Sequence, residues 1–170
     1  GDDVTFNGTV NDATSGTDSL TVNAGSGTVT FGQAVGGVTP LASVTTTGTT
    51  ALNNISTTGN QSYTGASTIA ADATLASTTG NVVFLGTGTV DSAGGAHALT
   101  VSTNTTGGQV NFGGAVGSAP PLTNVNVTGA QLTLRSVTTT GNQTYTASTT
   151  LADPTVNLVA DAADGGGDIT

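Results

Sequence analysis

Twelve side chains in this chain belong to types that titrate or carry charge near neutral pH: ten carboxylates, one Arg and one His. All ten carboxylates are Asp, and Lys, Glu and Cys are absent. Polysaccharide cleavage is the chemistry to test first. It needs clustered carboxylates, often around Ca²⁺, with a Lys or Arg as base or charge stabiliser. Arg135 stands where an earlier repeat of the same sequence has Asn53, so it reads as an isolated, solvated substitution. His97 stands where that repeat has Asp18, at the mouth of Ala98-Leu99-Thr100-Val101, with no acid or nucleophile beside it. No catalytic residue is assigned, and an enzyme is not expected. Asp161, Asp164 and Asp168, with Asp2-Asp3 at the other end, are the only calcium candidates, because Asp and backbone oxygens suit Ca²⁺. Gly165-Gly166-Gly167-Asp168-Ile169-Thr170 matches the glycine-rich calcium nonapeptide only in part and does not recur. Turn formation is the commoner role of such Asp residues, so no cofactor is assigned.

The charge balance excludes whole classes of partner. A net charge of −9 with a single Arg offers nothing to a phosphate backbone or an anionic membrane surface. No stretch is long and apolar enough to insert into a membrane. Only 6 % of residues are charged, so the solvated surface has to be built from Thr, Ser and Asn.

The elements that position these residues follow from repetition. Thr57-Thr58-Gly59-Asn60-Gln61-Ser62-Tyr63-Thr64 returns as Thr139-Thr140-Gly141-Asn142-Gln143-Thr144-Tyr145-Thr146, and Thr78-Thr79-Gly80-Asn81 is a partial copy. Phe6 matches Phe84, Phe31 matches Phe112, Pro40 matches Pro121 and Tyr63 matches Tyr145, all at nearly the same offset. The chain is therefore read as one solenoid segment with repeats 1–80 and 81–166, and 167–170 opening a third. Its 38 Thr favour extended backbone, and Asn, Asp and its 26 Gly supply turns. Val4-Thr5-Phe6, Leu20-Thr21-Val22 and Val29-Thr30-Phe31 alternate inside and outside at period two.

The phrases at Thr57 and Thr78 are separated by about 20 residues, a usual length for one solenoid coil. Four such coils per repeat predict an all-β parallel β-helix of roughly eight coils and about 40 Å length, uncapped at both ends. Gly1, Asp2, Asp3, Ile169 and Thr170 are then the end-to-end contact residues. The aromatic residues Phe6, Phe31, Tyr63, Phe84, Phe112 and Tyr145 each end a strand at an inward position, which predicts stacking within the coil beside glycine corners. Six Asn-x-Ser/Thr sequons, at Asn7, Asn54, Asn60, Asn104, Asn126 and Asn142, are expected by chance in a chain so rich in Asn and Thr.

The phrases Val29-Thr30-Phe31-Gly32-Gln33-Ala34-Val35-Gly36-Gly37 and Val110-Asn111-Phe112-Gly113-Gly114-Ala115-Val116-Gly117 lead into Pro40-Leu41 and Pro121-Leu122. With the TTGNQxY phrase, they resemble the repeat regions of large bacterial surface proteins of the filamentous haemagglutinin type. The resemblance implies a right-handed β-helix, export to the cell surface or beyond, and a role as adhesin shaft or extracellular fibre. Partners would be further copies of the repeat, in one chain or end to end. Two other roles remain open: a lateral face that recognises a glycan or a host or cell-surface protein, and a Thr ladder that binds ice. The Thr runs end at turns and are irregularly spaced, which counts against the latter.

Overall fold

A computed structural model describes residues 1–160 and 167–170. The described residues contain no helix, and every ladder between strands is parallel. Three ladders run the length of the molecule, and the chain visits them in fixed order. The first ladder joins Val4, Val29, Thr50, Ser67, Val90, Val116, Val137 and Leu158. The second joins Val10, Val35, Ile55, Leu75, Val101, Val127 and Tyr145. The third joins Leu20, Val44, Gln61, Val82, Val110, Leu132 and Thr149. The molecule is thus a β-solenoid of about seven turns, close to the eight read from the sequence.

Turn length varies because loops absorb the difference. The turn from Thr50 to its partner Ser67 is short, and the turn from Val90 to its partner Val116 is half as long again. The two TTGN phrases do stack one turn apart: Thr78 N–H donates to Thr57 O and Thr79 N–H to Thr58 O, at 3.1 and 2.8 Å.

Alternation fills the interior. Val29, Val44, Val82, Leu99, Val110, Leu132 and Val137 are buried, and each such side chain contributes about 1.5–3 kcal/mol relative to exposure. The corner between the third and first ladders is a column of glycines. A Cβ on Gly48 would lie 2.5 Å from Gly27 O, and one on Gly65 would lie 2.5 Å from Gly48 O. Gly48 and Gly65 also have φ of +112° and +111°, a backbone shape that L side chains rarely adopt. Only glycine lets successive turns approach this closely there. The same does not hold after every aromatic: a Cβ on Gly8 would meet nothing within 4 Å.

The long sequence repeat is not a whole number of turns. Val4 lies in the first ladder and its counterpart Val82 in the third. Val35 lies in the second and its counterpart Val116 in the first. Tyr63 lies in the third and Tyr145 in the second. Each pair is eleven strand positions apart, which is about three and two-thirds turns rather than the four expected. Ile169 pairs with Gln143 in the second ladder, eleven positions beyond Val82.

Candidate functional site

The repeated TTGNQxY phrase builds an internal lock. At the start of the phrase, buried Thr57 donates its Oγ1 hydrogen to Gly59 O at 2.7 Å and closes the corner. Period two then turns both Gln61 and Tyr63 inward, and both are fully buried. Gln61 Nε2 donates to Ala76 O at 2.8 Å, in the next turn, and also reaches Ile55 O and Thr57 Oγ1 at 3.3 and 3.2 Å. Its Oε1 accepts the Tyr63 hydroxyl at 2.8 Å. The second copy repeats this geometry with Gln143, Val159 O, Val137 O, Thr139 Oγ1 and Tyr145. Burial pushes the Tyr63 hydroxyl well above the usual phenol pKa, and Tyr145 likewise.

The aromatic positions divide into stacks. Phe6 lies on Phe31, with ring centroids 5.5 Å apart. Tyr63, Phe84 and Phe112 form one column, at 5.2 and 5.4 Å. Tyr145 is half-buried, its ring in the second ladder and its hydroxyl held by Gln143. The rings face the interior, so they offer no external platform for a sugar.

A second polar device runs along the corners. Side-chain oxygens of Asp3, Asn60, Asn81, Asp72, Asn124 and Asn142 each accept a backbone N–H from the following turn, at 2.7–3.0 Å. Asn54 does the same for Thr74 N–H at 2.8 Å. Asn104 Nδ2 donates to Thr78 O of the preceding turn at 3.2 Å, so four of the six sequon amides, Asn54, Asn60, Asn104 and Asn142, are committed to holding successive turns together.

Asp12 closes the long turn before the third ladder. Its carboxylate accepts the N–H groups of Thr14, Thr17 and Asp18 at 3.1, 2.8 and 2.9 Å, and the Thr17 hydroxyl at 3.0 Å. These donors, led by the Asp18 N–H, hold its pKa well below the ordinary carboxylate range.

Each repeat also carries one pinned loop. Val35 and Leu41 bridge to Ile55 and Thr57, so residues 36–40 bulge from a two-residue advance of the neighbouring strand. Asn11 Oδ1 accepts Val38 N–H at 3.0 Å and fixes the loop, leaving Val38 85 % exposed. Val116 and Leu122 bridge to Val137 and Thr139 in the same manner. There Asp91 Oδ1 accepts Ala119 N–H at 3.1 Å and the Ser118 hydroxyl at 3.0 Å.

The charged residues singled out in the sequence do not converge. Arg135 is ion-paired with Asp153 rather than freely solvated, and its side chain is 31 % exposed. His97 is half-buried, and its N–H donates to Ser92 Oγ at 3.0 Å. Asp168 is exposed, with its N–H on Asn142 Oδ1. Asp161 and Asp164 lie outside the described residues. Among the described residues no three metal-ligating side chains come together. A groove of about 430 Å³ is lined by Thr64, Ala66, Leu85, Thr87, Thr89 and intervening glycines, and holds no acid or base.

Outward hydroxyls fall into register that their sequence spacing conceals. Thr74, Thr100, Asn126 and Thr144 are successive partners in the second ladder, with Ala76, Ser102, Thr128 and Thr146 alongside. On the third ladder Thr45 and Thr47 pair with Ser62 and Thr64, and those with Val83 and Leu85. Loops of unequal length absorb the irregularity, but Ala76, Asn126, Val83 and Leu85 interrupt the hydroxyl columns.

No family model, curated protein or solved structure matches the chain.

Proposed function

We propose that this chain is a non-enzymatic shaft segment of a bacterial surface protein, working outside the cell as part of an adhesin stalk or extracellular fibre. The observation that carries this reading is the continuity of three parallel ladders tied turn to turn by corner Asn and Asp side chains. A solenoid of this kind has nearly additive stability along its axis, which suits a load-bearing rod. Leu151, Val159 and Ile169 are 58, 39 and 45 % exposed at one end, and Val4, Phe6, Val10 and Leu20 are only part-buried at the other. Further copies of the repeat, in one chain or end to end, would cover these apolar cross-sections. Gly1, Asp2, Asp3, Ile169 and Thr170 would lie at the junctions.

Electron microscopy of the natural parent material tests the reading. A rod with an axial periodicity of about 18 Å, the rise of eleven strand positions, is expected. Globular particles of any size would sink it. Breaks at regular intervals would mark a fibre of separate protomers rather than one long chain.

A lateral binding module is the second reading, with a glycan or a cell-surface protein as partner. The pinned loops at Gly36–Pro40 and Gly117–Pro121 favour it, since both project from the coil and are held by side chains of the preceding turn. A loop-deleted chain that still folds but no longer coats cells would support it. Unchanged coating would remove it.

A further inference from the structure

We infer that the repeat is a screw unit of eleven ladder positions, and that it presents its pinned loop in three directions around the rod, so that each repeat has room for a protein domain. The inference rests on the array reading above, but its geometry is carried by register alone. The first loop follows Val35 in the second ladder, on the second turn. The second loop follows Val116 in the first ladder, on the sixth turn. Eleven is two more than a multiple of three. Each further repeat therefore moves every surface feature by two ladders, or one third of a turn the other way.

The consequence is steric. Successive repeats advance only about 18 Å along the axis, at about 4.8 Å per turn. A domain of about 100 residues, with a radius of gyration of about 13 Å, is more than about 30 Å across. Two such partners could not sit on neighbouring repeats of a one-sided ribbon. Under the screw, a loop returns to the same face only after three repeats, about 53 Å on. Every repeat can then hold a globular partner without excluding its neighbour.

The pinning makes the loops suited to this. Asn11 and Asp91, at corresponding places in the two repeats, hold the loop backbone from the turn before. The tips at Val38 and Ala119 are exposed, and neither loop carries a charge. The glycine that opens each loop is also fixed: a Cβ on Gly36 would lie 2.1 Å from Ser56 O, and one on Gly117 would lie 2.1 Å from Thr138 O.

The test uses the full chain, which has no Cys to compete for labels. Val38→Cys with Ala119→Cys, spin-labelled, should give a separation well beyond the axial rise of about 18 Å, because the two tips lie on different ladders. A separation of about 19 Å, the rise of four whole turns, would overturn the screw. Thr74→Cys with Thr144→Cys, on one ladder, calibrates the axial rise. A short epitope is then inserted at both tips and titrated with one antibody fragment. Two fragments bound per chain are expected, with the same affinity as in each singly tagged chain. One fragment per chain, with both single tags competent, would overturn the display. Failure of the shaft reading would appear in the micrographs and leave the label separation unchanged.

Discussion

The Tyr63 hydroxyl donates a 2.8 Å hydrogen bond to Gln61 Oε1, two residues earlier in the chain and wholly inside the solenoid. Gln61 spends its amide hydrogens on carbonyls of its own turn and the next, so the tyrosine completes a buried network. Tyr63→Phe leaves Gln61 Oε1 buried without a donor and should cost about 1–3 kcal/mol. Tyr145→Phe, half-buried, should cost less. Urea unfolding of the two variants checks the order, and equal losses would remove the role assigned to burial.

Alkali should act through the same tyrosines. Burial raises both folded-state values above the ordinary one, so the unfolded chain loses these protons first. The stability this provides is full below about pH 10, the unperturbed tyrosine value, and falls as pH rises beyond it. Lys and Cys are absent, so the tyrosines dominate that window. Tyr63→Phe should flatten the alkaline limb of a stability–pH curve. An unchanged slope would contradict the assignment.

Acid should act through Asp12. Its folded-state pKa is depressed, so its contribution is present above the unfolded value of about 3.9 and is lost as pH falls below it. Asp12→Asn keeps the shape but replaces one acceptor oxygen with an NH2 group, losing two of the four accepted hydrogen bonds, and should lower the thermal midpoint at pH 7 more than at pH 2. A deficit independent of pH would mean that shape, not charge, holds the turn.

Gly65→Ala places a Cβ 2.5 Å from Gly48 O at a φ of +111°. Strain of this kind costs about 1–3 kcal/mol. Gly8→Ala, with nothing within 4 Å of the new atom, should be near neutral. Denaturant midpoints of the pair check the contrast.

Trypsin has one possible site, Arg135, in the turn between the strands Val125–Leu134 and Val137–Thr139. Its ion pair with Asp153 and the short turn should leave the folded chain intact. The unfolded chain should give two fragments. Cleavage of the native chain at the unfolded rate would show that this turn opens freely.

Strand alternation was legible because Val29-Thr30-Phe31 and its relatives obey period two, and the spacing of Thr57 and Thr78 matched one real turn. The repeat length misled. Four coils of equal length fit the long repeat arithmetically, whereas the real turns are unequal and fill it with eleven ladder positions. Only register distinguishes these. The Gln–Tyr lock was visible in principle. Gln61 shares the parity of Tyr63, so an inward ring places the Gln inside as well. Polarity argues against that placement when only the chain is in view, because a lone buried amide is costly and its partners lie in another turn. The Thr registers were hidden for the opposite reason: unequal loops separate residues that are direct neighbours in space.

The corner side chains of Asp3, Asn60, Asp72, Asn81, Asn124 and Asn142 reach forward, each from its own turn to an N–H of the next. A turn completed early already holds its acceptors in place, and needs nothing from later residues to present them. A chain emerging amino end first from a ribosome or an export channel can thus wind onto its own finished portion, like thread onto a spool. Winding from the other end would leave these corner N–H groups without their side-chain acceptors until the preceding turn arrived.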